Sequence, residues 1–297
     1  MGKMVIKLMH SMILKGDNKR LAKQEVPQGT VVKDGLVYLD DGHPLHTFNI
    51  TRPEGAEGKL PAILDIHGGA WIYGDRHLNR NYSKMLALGG YAVLDAGYRI
   101  APEATFEEQA KDVVAFINYV ADHAEELEVD LNNLFLTGDS SGGHLCYLAL
   151  EAYYRPEVAE LLGCKPKVAF NAVTFTCGAF YMGDMPASIP CSWLFFKSIF
   201  GKQKDKGPYQ SLTRLDMPAG LPLPPMLLHS CEDDFLKADT LKAYEALKAA
   251  GYEPELIFRK EITEHKLRHV YNIAEPWWSE SKDTNGKILA FFDKYRK

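Results

Sequence analysis

The amino-acid sequence predicts an α/β fold with a mostly parallel central sheet and helices on both of its faces. The first observation is size and composition: 297 residues, 46% hydrophobic and 25% charged, which is typical of a folded globular chain. The second is an alternation, from residue 62 onward, of short apolar runs with longer segments of helical periodicity. Because alternating strands and helices pack as a parallel sheet covered by its crossover helices, these patterns predict the fold class.

The first 50 residues are predicted to form elements outside this alternation. Apolar residues recur at three- and four-residue steps from Met4 to Ile13, which predicts an amphipathic helix packed on the domain before Pro27. Residues 30–50 change to short β-like runs around the turn at Asp41–Gly42. This pattern predicts a hairpin or meander.

The whole chain is predicted to form one domain spanning residues 1–297. Strands are predicted at 62–66, 91–94, 133–137, 168–175, 225–229 and 255–259, and helices at 78–90, 106–127, 141–154, 236–250 and 281–295. Residues 178–223 interrupt the alternation and are rich in aromatic side chains. Long insertions in compact domains often serve as lids or binding loops, although these aromatics could equally form a small core of their own.

Composition excludes several classes of function. The net charge of −5 leaves no basic excess for nucleic-acid binding. No run approaches the roughly 18 consecutive apolar residues of a membrane span. The opening residues lack a small-residue cleavage site, and the five cysteines are scattered without a CxxC pair. We therefore expect a cytoplasmic protein with free thiols, no stable membrane insertion and no metal site.

Ser140 is the candidate nucleophile. It is the central residue of a GxSxG motif at 138–142, which lies between a predicted strand and a predicted helix. The motif requires this context, because the sharp turn strains the serine backbone and needs glycines beside it. The strain lifts the hydroxyl clear of the sheet, with the N-terminus of the following helix behind it.

The sequence HGGAW at 67–71 is the candidate oxyanion loop, since it directly follows a predicted strand. Glycines there let backbone N–H groups turn toward the negative charge that develops on an ester carbonyl during hydrolysis. We expect the donors to be the N–H groups of Gly69, Ala70 and Ser141. Gly68 is a fourth and weaker candidate.

A serine nucleophile needs a base and an acid, and the residues alone leave both open. Glu232, Asp233 and Asp234 follow a predicted strand, where catalytic groups gather in open parallel sheets. His265 and His269 both follow the last predicted strand and compete as the base. Any of the three acids could instead cap the next helix.

The chain resembles the hormone-sensitive-lipase-type carboxylesterases of the α/β-hydrolase superfamily. The resemblance rests on HGGAW, GYRIAPE, GDSSGGH, DDFLKAD and HVYN, which occur in the family's order between residues 67 and 272. It implies the α/β-hydrolase fold, with a helical cap made from residues 1–26 and the 178–223 insertion. The family's Asp-x-Leu and His-x-aromatic patterns fall on Asp234 and His269, so these become the predicted acid and base. One departure is Ala70, where the family usually has a third glycine.

These observations predict a serine carboxylesterase that hydrolyses short- to medium-chain acyl esters, acetyl esters among them, through an acyl-enzyme, with no cofactor. The alternatives are an amidase, formamidase or small peptidase on the same triad, or a non-catalytic small-molecule receptor. The receptor interpretation is weakened because serine, acid and histidine are all present. The expected partner is a small ester substrate, and the family resemblance is compatible with a homodimer.

Overall fold

The computed structural model describes residues 2–182, 199, 212–260 and 263–297, with the backbone alone for residues 2–5. The strands are β1 Thr30–Val37, β2 Thr47–Pro53, β3 Leu60–Ile66, β4 Ala92–Ala96, β5 Val129–Asp139, β6 Ala172–Thr176, β7 Met226–Cys231 and β8 Glu255–Arg259. The helices are α1 Gly2–Leu21, α2 Arg80–Ala87, α3 Phe106–Asp122, α4 Ser141–Tyr154, α5 Pro156–Leu162, α6 Lys237–Ala249, α7 Tyr271–Ala274 and α8 Ser279–Lys294.

The eight strands form one sheet in the order β1-β2-β4-β3-β5-β6-β7-β8. β1 and β2 pair antiparallel with each other, and β2 pairs antiparallel with β4. Every pairing from β4 to β8 is parallel. The predicted mostly parallel sheet is therefore confirmed, and the antiparallel part coincides with the segment predicted as a hairpin or meander.

The central strands are buried on both faces, as their continuous apolar sequences require. In β3, β4 and β6 every residue except the first of β3 is buried. One exposed face would leave alternate positions polar, which is the pattern of a half-covered sheet. Helices must therefore cover both faces of these strands.

Helices α3 and α5 differ from the prediction, and residues at their ends mark where they start and stop. α3 begins after Thr105, whose backbone N–H donates to the Glu108 side chain at 2.8 Å in a capping box. The helix ends at Asp122, before the predicted limit of 127. α5 was not predicted separately. It starts at Pro156 and ends at Leu162, before Gly163, which adopts the left-handed conformation typical of a helix end.

The predicted cap has two parts, and only one lies within the described residues. Arg20 Nη1 of α1 and Gln24 Nε2, three residues after the end of α1, donate to the carbonyl oxygen of Ala274 in α7 at 3.1 and 2.7 Å. Most of the predicted 178–223 insertion falls outside the described part of the chain, so the cap stays a prediction. None of the described helices is long and apolar enough to cross a bilayer.

Candidate active site

A sharp turn between β5 and α4 presents Ser140 at the carboxyl end of the sheet. Its backbone has φ 51° and ψ −119°, a conformation that residues other than glycine rarely adopt. The flanking glycines make the turn sterically feasible. A Cβ at Gly142 would lie 2.0 Å from the carbonyl oxygen of Ile66. A Cβ at Gly138 would lie 2.6 Å from the sulfur of Cys146, so the GxSxG spacing is a packing requirement.

His269 and Asp234 extend a line of hydrogen bonds that starts at Ser140. His269 Nε2 lies 3.0 Å from Ser140 Oγ, and Nδ1 lies 2.6 Å from Asp234 Oδ1. Asp234 follows β7 and His269 follows β8, and these two strands are neighbours in the sheet. The structure thus brings the predicted nucleophile, base and acid into one chain of contacts.

The Asp234 carboxylate is held in place from several directions. Oδ1 also accepts the Leu236 N–H at 2.9 Å, and Oδ2 accepts the Ser230 hydroxyl at 2.6 Å. Burial acts to raise the pKa of Asp234, but its hydrogen bonds, led by that to His269, hold the pKa below its usual value. The side chain is therefore a carboxylate at neutral pH and can stabilise a positively charged imidazole.

The competing acids and the competing histidine have other partners. Glu232 and Asp233 each pair with a lysine side chain, at N–O distances of 2.5 and 3.5 Å. His265 Nδ1 lies 3.0 Å from Glu280, and its ring stacks on Trp278 with centroids 4.1 Å apart. Each of the three side chains is therefore paired with a residue other than Ser140.

The loop after β3 supplies backbone N–H groups beside Ser140. Gly69 has φ 125°, and a Cβ there would lie 2.0 Å from the carbonyl oxygen of Tyr73, so only glycine fits. Ala70 follows with φ 54°. Within the described residues, the N–H groups of Gly69, Ala70 and Ser141 donate to no protein acceptor. As the first residue of α4, Ser141 also carries one of the free N–H groups of a helix N-terminus.

Gly68 does not fit the predicted set of oxyanion donors. Its N–H donates to Asp139 Oδ1 at 2.9 Å, so this group is already used inside the protein. A Cβ at Gly68 would lie 2.4 Å from Asp139 Oδ2. The glycine is therefore required by close packing of the loop against β5, and we correct its expected role from donor to anchor.

Sequence reasoning missed the polar network that anchors this loop. Asn79 donates through Nδ2 to Asp139 Oδ1 and to Asp65 Oδ2, both at 2.9 Å. Through Asp139 the network reaches the Gly68 N–H, and all of these side chains are buried. The available signal was Asp65, a charged residue inside the otherwise apolar run 62–66. A carboxyl group in such a position needs partners.

Asp65 and Asp95 form a buried pair of carboxyl groups under the loop. They face each other in the parallel register of β3 and β4, and Ser83 donates to Asp95. Burial raises the pKa of Asp95 to about 7 and raises the pKa of Asp65 well above its usual value. Because like charges this close disfavour a second ionisation, the pair favours a state in which one of the two carboxyl groups keeps a proton.

A cavity of about 420 Å³ opens in front of Ser140. Its lining is mainly apolar and includes Ile13 from α1, Leu78, and Ile273 from α7. Asp17 and Arg20 from α1 form an ion pair of 2.9 Å at the same cavity. The nucleophile therefore faces a space large enough for a small organic ligand, with one charged wall.

Comparisons with known proteins agree with this geometry. The family model named BD-FAE matches residues 48–173. Esterase B from Lactobacillus rhamnosis, solved with a C6-C4 SN3 inhibitor, is 27% identical with a TM-score of 0.91, covering 99% of this chain and 96% of that one. Carboxylesterase NlhH of Mycobacterium tuberculosis is 27% identical over 82% of this chain and 76% of its own length.

Other relatives match over a smaller part of their length. A putative α/β hydrolase of Acanthamoeba polyphaga mimivirus is 29% identical, and the match covers 32% of this chain and 28% of that protein. An isoprenylcysteine α-carbonyl methylesterase of Arabidopsis thaliana is 25% identical over 76% of this chain and 55% of its own length. The sheet, the strained serine turn and these likenesses together confirm that the chain has the α/β-hydrolase fold and that it resembles the hormone-sensitive-lipase-type carboxylesterases.

Proposed function

We propose that the protein is a serine carboxylesterase that works through an acyl-enzyme. The observation that carries the proposal is the continuous line from Ser140 Oγ through His269 to Asp234, at 3.0 and 2.6 Å. A serine hydroxyl is a weak nucleophile near neutral pH and becomes effective only beside a base that an acid orients. The free N–H groups beside Ser140 can donate hydrogen bonds to the carbonyl oxygen of the ester and so stabilise the negative charge that develops on it.

The reaction follows from these positions. His269 Nε2 takes the hydroxyl proton as Ser140 Oγ attacks the ester carbonyl, and Asp234 stabilises the imidazolium. The N–H groups of Gly69, Ala70 and Ser141 bind the oxyanion, where each such donor is worth about 3–4 kcal/mol of transition-state stabilisation. His269 then gives the proton to the departing alcohol. Water, deprotonated by the same imidazole, attacks the acyl-enzyme and releases the acid.

The substrates we propose are esters of short- to medium-chain acids. A cavity of about 420 Å³ with a mainly apolar lining suits an acyl chain of this size. A solved structure of Esterase B, 28% identical, carries a C4-C4 tributyrin phosphonate inhibitor, which supports a short acyl chain in a related protein.

The test is hydrolysis of p-nitrophenyl acetate by wild type and by Ser140→Ala. We expect the variant to lose activity by about 10⁴-fold or more at unchanged thermal stability. Activity comparable to wild type would remove Ser140 as the nucleophile.

A fluorophosphonate should add its mass to the wild type and not to the variant, and absence of labelling of the wild type would favour a non-catalytic receptor. Paired esters and anilides of one acyl group separate esterase from amidase activity.

A further inference from the structure

A thiol lies directly beside the Asp234–His269 pair. Cys177 is fully buried after the end of β6, and its sulfur accepts the backbone N–H of Val270 at 3.3 Å. One potential ligand atom from each of Cys177, Asp234 and His269 lies within 4.8 Å of the other two. Over the part of the chain that the structure describes, no other three Cys, His, Asp or Glu side chains approach so closely.

The backbone directs the sulfur into this position. Cys177 has φ 51°, a conformation uncommon for any residue with a Cβ. It is held there by its own N–H, which donates to the carbonyl oxygen of His229 in β7 at 2.7 Å. Strained non-glycine residues concentrate at functional sites, where the surrounding structure enforces the conformation. The esterase reaction derived above makes no use of the Cys177 sulfur.

Thiolate, imidazole nitrogen and carboxylate oxygen are the ligand types that zinc prefers. Three protein ligands and one water make the usual open tetrahedral zinc site. Zinc–ligand bonds of about 2.0–2.3 Å place tetrahedral ligand atoms roughly 3.5 Å apart. The 2.6 Å separation of His269 Nδ1 and Asp234 Oδ1 would open by about 1 Å, while the sulfur moves inward.

We propose that Cys177, Asp234 and His269 form an inhibitory Zn²⁺ site that overlaps the catalytic triad. Zn²⁺ forms bonds to Sγ, Oδ1 and Nδ1, and the thiol proton leaves to solvent. The imidazole proton moves from Nδ1 to Nε2, because the metal now occupies Nδ1. Nε2 then carries a hydrogen and cannot accept the proton of Ser140, so a neutral base becomes a donor and hydrolysis stops.

The sulfur ligand determines which metal ions the site should bind. Mg²⁺ and Ca²⁺ favour oxygen ligands and leave a thiol unbound, whereas Zn²⁺ and Co²⁺ accept mixed sulfur, nitrogen and oxygen ligands. The inhibition rests on the proposed esterase function, but metal binding does not. The two can therefore be tested apart.

Metal binding is measured with Co²⁺ in the Ser140→Ala background, where no hydrolysis is needed. We expect a thiolate-to-cobalt charge-transfer band that disappears in Cys177→Ser and is removed by competing Zn²⁺. The matched control is Cys231→Ser, because Cys231 is equally buried and ends the neighbouring strand β7. The control should keep the band. Absence of the band, or its survival in Cys177→Ser and Cys177→Ala, would overturn the proposal.

Inhibition is measured as the Zn²⁺ concentration that halves hydrolysis of p-nitrophenyl acetate, normalised to each variant's own activity. Removal of one ligand in Cys177→Ser should raise this concentration by at least about tenfold, and Cys231→Ser should match wild type. Equal zinc sensitivity of Cys177→Ser and wild type would reject the site and leave the esterase function intact. If the cobalt band depends on Cys177 but the wild-type protein hydrolyses no ester, the esterase function alone is rejected and the metal site stands.

Discussion

Backbone strain is concentrated at the residues that surround Ser140. Six described residues other than glycine have positive φ, namely Ala70, Trp71, Ser140, Cys177, Val270 and Glu128. All but Glu128 lie in the turns at the carboxyl ends of β3, β5 and β6 and after β8. Such conformations cost about 1–3 kcal/mol each and persist because the surrounding packing enforces them. The strained turns at the ends of β3 and β5 thus hold Ala70 and Ser140 at the same cavity.

The first prediction at this scale separates the two histidines. His269→Ala should lower kcat/KM by about 10⁴-fold or more, since it removes the base that contacts Ser140 Oγ. His265→Ala should stay within about tenfold of wild type, because His265 pairs with Glu280 instead. Both rates come from initial velocities with p-nitrophenyl acetate. The reverse ranking would reassign the base.

At the scale of elements, parallel pairing of β3, β4 and β5 builds the support under the oxyanion loop. Register alone places Asp65 opposite Asp95, and β5 brings Asp139 to the same end of the sheet. Asn79, which lies directly before α2, joins Asp65 and Asp139. The position of Gly68 is thus set by three strands and one helix end.

The second prediction concerns the pH dependence of stability. The pKa of Asp65 is raised in the folded protein, so folding retains a proton that the unfolded chain releases above its ordinary pKa of 3.8. Stability conferred by this group is therefore largest at acid pH and falls as the pH rises toward the folded pKa. Asp65→Asn keeps an acceptor for Asn79 and places an amide group opposite Asp95 that needs no added proton to donate.

We therefore expect Asp65→Asn to match wild type near pH 4 and to unfold at a higher temperature at pH 8. A gain of about 2 °C would correspond to roughly 1 kcal/mol for a chain of this length. Thermal unfolding followed by circular dichroism from pH 4 to 9 measures it, with Asp122→Asn on the exposed face of α3 as the control. A constant difference across this range would contradict a proton held at Asp65.

The third prediction tests α1 as a wall of the acyl cavity. Ile13 lines that cavity, whereas Met12 is 66% exposed. Ile13→Ala removes apolar surface from this lining, and an octanoyl chain has more apolar surface to bury there than an acetyl group. The kcat/KM for the octanoyl ester should therefore fall roughly three- to tenfold relative to the acetyl ester. Met12→Ala should leave the ratio of the two p-nitrophenyl esters unchanged. An unchanged ratio in both variants would place the acyl chain elsewhere.

For the whole molecule, the sequence was informative where a pattern is local. Alternating apolar and helical periodicity predicted the parallel sheet, and the glycines around Ser140 predicted its turn. The separate helix α5 was not predicted because it is only seven residues long, and Pro156 and Gly163 at its ends were its only signals in the sequence. Gly68 was placed among the oxyanion donors because the sequence around it does not reveal the distant partner of its N–H. That partner is the carboxylate of Asp139, which lies on another strand, β5.

The choice of Asp234 and His269 over their neighbours also needed more than local pattern. The three adjacent acids carry the same functional group, and so do the two nearby histidines. Only the family resemblance distinguished the candidates within each set. In the structure the distinction comes from contacts: Asp234 accepts from Ser230, Leu236 and His269, while its neighbours pair with lysines. Such contacts depend on how β7 and β8 lie side by side.

Ser140 and His269 are 129 residues apart in the chain, and the histidine follows the edge strand β8, which joins the sheet only through β7. During refolding, recovery of ester turnover therefore requires the last edge of the sheet to have docked. A stopped-flow assay with a chromogenic ester would time the completion of the native topology, whereas far-ultraviolet ellipticity would follow the formation of secondary structure alone.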